Sequence, residues 1–503
     1  VADNQEQDKG ASMRTRIIYG PPGTGKTTTL LDEVDTALQA GVDPSRIGFF
    51  TFTRKSANEA ITRATSRFPY TQDDFPWFRT LHSAAFKLLG LRRDEVMGTS
   101  HYHELGAALG CFTFQHDYGA TVERPPQDGG LGDRALSIYS LARAKQVSVE
   151  QAWREAADPR ISLQDVLRFS GALNEYKKAM AILDFNDFMD HESHGPLDLD
   201  LMIIDEAQDL THQQWDFARR IGATAKRIII AGDDDQAIFE WSGADLQSFL
   251  SFKGEMKVLP RSWRLPWKIW LKVESISRQI KVRRPKSWQA RSNEQGEVHY
   301  LDHFNQIPLR GESSWLLLTR NIYQLSALVK ACRDQGVVYQ HEGEWSNRAA
   351  SVRAVVAYER LRRGETISGV EAGLVVRHII GMEPLAEPQK KFVWDNLVFP
   401  FQDRPDWMAA LTALGTDERE YIRRLRREGE PLSKPGRVVI STIHGAKGGE
   451  ADCVMVSPDI TKRVMIGMQH DRDQEMRVWY VAASRARERL YLAKPQTMRF
   501  VEL

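Results

Sequence analysis

Cysteine is scarce in this chain: among 503 residues there are three, Cys111, Cys332 and Cys453, and none stands in C-x-x-C spacing. That scatter argues against a disulfide framework, a zinc site or an iron–sulfur cluster, and it fits a reducing compartment. Long apolar runs are missing as well. None approaches the length that crosses a bilayer, and the polar N-terminus has no apolar signal-peptide core, so a soluble cytoplasmic chain with no membrane contact is expected. Net charge is also small. With 68 basic and 67 acidic side chains, any surface for nucleic acid has to be a local patch and not a field of the whole protein. What is abundant is length, enough for roughly three to four domains with sizeable cores. The polar stretch Val1 to Ser12, just before Met13 and the first apolar run, reads as a tag or disordered leader.

The first stretch that carries chemistry is Gly20-Pro21-Pro22-Gly23-Thr24-Gly25-Lys26-Thr27. It has the G-x-x-x-x-G-K-[ST] spacing of a phosphate-binding loop, follows the apolar run Ile17, Ile18, Tyr19 and opens a helix-like stretch from Thr28 to Ala40. Glycines at Gly20, Gly23 and Gly25 let successive N–H groups, with those of Thr24 and Thr28, turn toward phosphate oxygens at a helix N-terminus whose dipole favours anions. Lys26 would reach the β and γ phosphates, and the Thr27 hydroxyl would bind Mg²⁺. The bland alternative is a glycine turn joining strand to helix. The loop points to a nucleoside triphosphate without saying what its energy is used for.

Arg46 to Phe52 reads as a second buried strand, which completes a βαβ unit and starts a parallel sheet. It runs into Thr51-Phe52-Thr53-Arg54-Lys55-Ser56-Ala57, where an aromatic, hydroxyls and basic groups suit a stacked base and its phosphates. Phe52 as core and Arg54 as solvated surface is the competing reading. Thr80 to Ser83 forms a polar cluster ahead of another helical run. Between Leu91 and Asp184 no chemical motif stands out. Helical pieces at Ala135 to Lys145, Val149 to Ala157 and Leu163 to Ala181 predict a helical insertion, with Gln127 to Gly132 a turn-rich break. The apolar run Leu201 to Ile204 then delivers Asp205 and Glu206. Adjacent carboxylates at the end of a buried strand meet the needs of triphosphate hydrolysis, Asp205 holding Mg²⁺ and Glu206 taking the proton of the attacking water. An acidic helix start is the plainer reading. The next strand, Arg227 to Ala231, leads to Gly232-Asp233-Asp234-Asp235-Gln236, where the Gln236 amide could sense a γ-phosphate, and then to Trp241, a stacking face or a core residue.

Taken in order, GPPGTGKTT, TFTRKSA, TLHS, DEAQD, GDDDQAIFEWSGA, then Ser262-Trp263-Arg264, STIHGAKGGE (Ser441 to Glu450) and YVAASRA (Tyr480 to Ala486) resemble the motifs of the UvrD/Rep/PcrA family of superfamily 1A DNA helicases. The resemblance implies an α/β fold of two RecA-like parallel-sheet domains, each with a mostly helical insertion. The first domain would comprise 13–90 and 185–262, with insertion 91–184. The second would comprise 263–345 and 433–503, with a small insertion at 346–432. It also implies an ATP-dependent, DNA-stimulated helicase or translocase with ATP and Mg²⁺, acting on single-stranded DNA and single-strand/duplex junctions. Travel would run 3′ to 5′, as a monomer, in a bacterial or phage-infected cell. Position by position, Arg264 and Arg485 resemble the arginines aimed at the γ-phosphate, which make hydrolysis depend on closure of the cleft between the two domains. Trp263 resembles the aromatic that stacks on adenine and Glu450 the residue that binds ribose. Phe52, Thr53, Arg54, His82, Trp241 and His444 match positions that contact single-stranded DNA. The basic stretch Arg419, Arg423, Arg424, Arg426 and Arg427 is either a DNA-facing patch or a solvated helix.

Three features depart from the family. Gln5 has the spacing of the upstream glutamine that reads the adenine edge, but without the usual apolar neighbours. The second insertion is short. After Leu492 only Ala493 to Leu503 remain, where relatives carry a β-hairpin that splits the duplex. Two alternatives therefore stand beside the helicase reading: a DNA-stimulated ATPase that remodels a protein–nucleic acid complex without processive unwinding, and a regulatory NTPase switch that binds no nucleic acid.

Overall fold

The structure is a computed structural model that describes residues 14–118, 129–292, 294–385, 388–401 and 403–503. The expected leader Val1 to Ser12, Gln5 and the start of the Gln127 to Gly132 break lie outside those residues. The chain forms two compact units, Val1–Trp263 with Lys281–Gln289, and Arg264–Ile280 with Ala290–Leu503.

The first unit is built on strands β1 (Arg14–Tyr19), β2 (Ile47–Thr51), β3 (Trp77–Thr80), β4 (Leu201–Ile204), β5 (Arg227–Gly232) and β6 (Glu255–Val258). They pair in parallel in the order β3-β2-β4-β5-β1-β6. Side chains alternate across a strand, and here both faces are covered. Ile18, Phe49, Ile203 and Ile229 pack against Leu30, Leu31 and Val34 of α1 (Lys26–Gln39) and Ala60, Ile61 and Ala64 of α2 (Arg54–Arg67). Their neighbours Ile17, Phe50, Ile204 and Ile230 share the opposite core with Leu81, Ala84 and Ala85 of α3 (Leu81–Leu88). Double coverage is why these strands read as unbroken apolar runs.

The first insertion is helical, with α4 (Thr99–Leu109), α5 (Leu131–Lys145), α6 (Val149–Ala156) and α7 (Leu163–Met180) around Tyr102, Leu136, Phe169 and Leu173. Buried Lys177 of α7 reaches Asp184 and Asp187, each at 2.7 Å, and so ties α7 to the strand-like return and to the short helix α8 (Asp187–Asp190). Two of these helices, α6 and α7, match their predicted spans closely. The start of α5 comes earlier than expected, because Gly130 serves as its N-cap and Gly132 lies inside it beneath the Phe114 ring.

The segment Lys281–Gln289 departs from the boundary read at residue 263. It is flanked on both sides by residues of the second unit yet folds with the first. The reason is electrostatic: the Lys286 ammonium, fully buried, lies 2.9 Å from Asp233 and 2.8 Å from Asp235 and also pairs with Asp234. The Arg283 guanidinium forks onto Asp235.

In the second unit, β7 (Glu297–Leu301), β8 (Trp315–Thr319), β9 (Tyr339–His341), β10 (Glu344–Trp345), β13 (Val438–Thr442), β14 (Ala451–Val456) and β15 (Ala486–Ala493) form one sheet in the order β10-β9-β13-β8-β14-β15-β7. Every pairing is parallel except β10 with β9. The remaining strands, β11 (Ile367–Ser368) and β12 (Lys391–Phe392), make a small antiparallel ribbon within the second insertion, whose own core includes Val352, Tyr358, Val375, Trp407 and Ile422. Its basic helix Thr416–Arg427 turns Tyr421, Ile422 and Leu425 inward. All five of its arginines have partners inside the unit. Arg423 and Arg424 pair with Glu420, Arg424 also with Asp334, Arg426 with Glu359, Arg427 with Glu428, and Arg419 donates to the carbonyls of Leu411 and Thr412. The helix is thus ion-paired within its own unit.

Candidate active site

The loop between β1 and α1 starts where the Gly20 amide donates to the Gly232 carbonyl at 2.9 Å, so the ends of β1 and β5 set its entry. Gly23 and Gly25 sit at φ 70° and 79°, in the left-handed region that suits glycine. The Thr24 hydroxyl closes the turn on the Pro21 carbonyl at 2.8 Å. Among the described residues no side chain caps the N-terminus of α1. A turn whose amides open a helix without a side-chain acceptor has the form of an anion cradle. The Thr27 and Thr28 side chains lie on the first turn of that helix.

Lys26 points from that turn to the end of β4. Its ammonium is 3.0 Å from Asp205 Oδ1 and 2.5 Å from Glu206 Oε1. Burial works against the lysine's charge, but the two carboxylates more than offset it and hold its pKa above the ordinary value. Glu206 adopts φ 53°, unusual for a residue with a side chain and a form of strain that collects at functional sites.

From Glu206 the contacts continue across the sheet. Gln208 Nε2 donates to Glu206 Oε2 at 2.7 Å, its Oε1 accepts the Asp233 amide at 3.0 Å, and Gln236 Nε2 donates to Asp233 Oδ2 at 2.8 Å. An unbroken path thus runs Lys26, Glu206, Gln208, Asp233, Gln236. Gly232 leaves room for it, since a Cβ there would stand 2.4 Å from Gln208 Oε1. The sequence reading missed Gln208 and Lys286. The signal for Gln208 was its place between two carboxylates in DEAQD. None marked Lys286, whose partners lie some fifty positions upstream.

Two tethers hold residues 262–263 to the loop: the Ser262 hydroxyl donates to the Pro22 carbonyl and the Trp263 amide to the Gly23 carbonyl, both at 2.7 Å. Trp263 therefore belongs to the first unit, whereas the sequence reading begins the second at this residue. In the second unit the Arg264 guanidinium lies 2.5 Å from Glu450 Oε2 and donates to the Ser484 carbonyl at 3.3 Å. Arg485 is buried and donates to Val481 O at 2.9 Å and Ser484 Oγ at 2.9 Å. Arg264, Glu450 and Arg485 are thus neighbours.

The residues expected to meet DNA are differently placed. Trp241 is 43% exposed on a short turn that ends at Gly243. Thr53 caps α2 by accepting the Ser56 amide, and Arg54 opens that helix at the surface. The half-buried His82 ring lies 4.8 Å from Phe185. His444 sits in the turn after β13 of the second unit. Phe52 departs from the open platform expected of it: it is 7% exposed, joins the core and packs its ring 5.8 Å from Phe239.

Residues 2–257 match the family of the UvrD/REP helicase N-terminal domain, and residues 421–497 match that of the UvrD-like helicase C-terminal domain. The chain belongs to the UvrD/Rep helicase family. Its two mainly parallel sheets are accordingly RecA-like. A probable DNA helicase of Mycoplasma pneumoniae is 24% identical to this UvrD/Rep chain over 288 residues, covering 51% of this chain and 51% of that protein. The ATP-dependent DNA helicase PcrA of Staphylococcus aureus is 23% identical over 345 residues, 64% of this chain and 45% of that one. DNA helicase II of Rickettsia typhi is 27% identical over 274 residues, 50% and 40%. The UvrD/Rep chain thus spans about half the length of the curated relatives it matches. A solved structure, "The structure of PRRSV helicase", aligns over 96% of this chain and 53% of that chain with TM-score 0.36 and 11% identity, too distant a likeness to inform the fold. Among the described residues no helix is long and apolar enough to cross a membrane.

Proposed function

We propose that this chain is an ATP-dependent DNA helicase or translocase that moves 3′ to 5′ along single-stranded DNA. The observation that carries the reading is the path from Lys26 through Glu206, Gln208 and Asp233 to Gln236, which ties the phosphate loop to the turn that would sense a γ-phosphate. A triphosphate at Gly20 to Thr28 would compete for Lys26 and leave Glu206 free to take the proton of the attacking water. Thr27 and buried Asp205 supply a hydroxyl and a carboxylate, hard oxygen donors of the kind Mg²⁺ takes beside phosphates. The ion would neutralise charge that develops on the phosphates. Arg264 and Arg485 would complete the charge stabilisation when the two RecA-like domains close on the nucleotide. Hydrolysis would then depend on closure, and repeated closure would advance the strand past Trp241, His82 and His444.

The test is hydrolysis with and without single-stranded DNA. We expect stimulation by DNA in the wild type, and in Glu206→Gln retained ATP and DNA binding with turnover reduced about 10²–10⁴-fold. Near-normal turnover in Glu206→Gln removes it from the mechanism, and hydrolysis indifferent to DNA favours a plain NTPase switch. A 3′-tailed duplex separates the remaining alternative, since DNA-stimulated hydrolysis without unwinding identifies a remodelling translocase.

A further inference from the structure

A short parallel ribbon adjoins the phosphate loop. Arg261 and Gln289 are bridge partners: the Gln289 amide donates to the Pro260 carbonyl, and the Gln289 carbonyl accepts the Ser262 amide, both at 2.8 Å. Alternation along the two segments sorts their side chains. Ser262 and Trp288 turn inward and are buried. Arg261, Trp263, Ser287 and Gln289 turn outward, with Trp263 66% exposed. The outward row, with Pro260 and the edge of Trp288, lines a cavity of about 340 Å³, within the range of about 300–1,000 Å³ usual for small-molecule sites. A Cβ on Gly25 would stand 3.8 Å from Trp263 Cδ1, so the indole lies against the phosphate loop itself. Among the described residues no hydrogen bond or ion pair engages the side chains of Arg261, Ser287 or Gln289.

An open indole edged by an uncommitted amide, guanidinium and hydroxyl suits a flat heteroaromatic ring that carries hydrogen-bonding groups on its rim. Its position against the phosphate loop makes that ring the base of a bound nucleotide, an inference that rests on the NTPase reading above. We propose that Gln289 reads the purine edge and commits the site to adenine. A side-chain amide offers one donor and one acceptor, which complement N7 and the N6 amino group of adenine; guanine presents two acceptors, N7 and O6, which suit an arginine such as Arg261 instead. Gln289 and Arg261 thus favour opposite bases.

Steady-state hydrolysis of ATP and GTP by the full chain decides between them. Wild type should prefer ATP. Gln289→Ala should lower that preference by roughly tenfold, the worth of one bidentate base contact, through the KM for ATP, with kcat at saturation and the thermal melt unchanged. Inorganic tripolyphosphate, which lacks a base, should inhibit wild type and Gln289→Ala alike. Arg261→Ala should leave the preference standing or raise it. The proposal falls if Gln289→Ala keeps the wild-type ratio, if the preference collapses in Arg261→Ala, or if Gln5→Ala alone removes it. Near-native hydrolysis in Lys26→Ala would instead sink the NTPase reading beneath it.

Discussion

Lys286→Met would remove a cation whose side chain has no exposed surface and which holds three consecutive carboxylates, two of them at 2.9 and 2.8 Å. Part of the cluster keeps other support: Arg283 stays on Asp235, and the Arg284 amide donates to Asp234 Oδ2 at 2.7 Å. Breaking a buried pair typically costs about 3–5 kcal/mol, because a charge is left without compensation in a low dielectric. With two arginine-segment contacts surviving, about 3 kcal/mol is expected. The loss should also depend on pH with a definite sign. Burial pushes the Asp235 carboxyl up to about 6 from its ordinary 3.8, with Asp233 and Asp234 adding to the rise while Lys286 and Arg283 oppose it. A carboxyl with a raised pKa binds more protons folded than unfolded, so its contribution is full at low pH and is lost as pH climbs from about 4 through 6. Without Lys286 the Asp235 carboxyl holds its proton to higher pH, and the window moves upward. Urea unfolding of the variant against wild type should therefore show a larger deficit at pH 8 than at pH 5. A deficit under about 1 kcal/mol, well below the buried-pair range, or a smaller deficit at pH 8, would refute the view that this lysine is the counter-ion of the turn.

Trp241→Ala should weaken single-strand binding by about 1–3 kcal/mol with little change in melting temperature, because the ring is 43% exposed; unchanged affinity with lower stability would make it a core residue. Lys177→Met leaves buried Asp184 and half-buried Asp187 without their shared cation, with only Asp187 still paired to Arg143, and should destabilise the first insertion by about 3 kcal/mol, seen as faster hydrogen exchange in α4 to α7. Adding Asp184→Leu should recover part of that loss, and no recovery would show that the pair is not the cause.

What could be read from sequence was whatever depends on near neighbours. The phosphate loop declares itself because its glycines, lysine and threonine act within eight positions. The central strands do so because burial on both faces makes them continuously apolar, and α6 and α7 because Ser148 and Ser162 cap them locally. What escaped depends on partners far away in the chain. Phe52 could be assigned to core or ligand only by knowing that Phe239 closes over it. The arginines of Thr416–Arg427 look like a basic patch until Asp334 and Glu359 are brought beside them. Gln208 looks like spacing between carboxylates until Gly232 admits its amide to the end of β5.

The segment Lys281–Gln289 is the strongest case, because its composition gives no hint of either task it performs. Lys286 fixes Asp233, and Asp233 accepts the amide of Gln236 at 2.8 Å. Three residues later Gln289 is hydrogen-bonded between Pro260 and Ser262, the latter anchored to the loop carbonyl of Pro22. One nine-residue piece therefore braces the turn that would sense the γ-phosphate and the row that would hold the base. Chain continuity across three positions is too short to let these supports move independently. Loss of Lys286 should then disturb base selection as well as turnover, whereas loss of the Gln289 side chain, whose backbone keeps the ribbon intact, should disturb base selection alone. That asymmetry follows from which contacts are side-chain and which are main-chain. It would not arise if the two ends of the segment were merely adjacent in sequence.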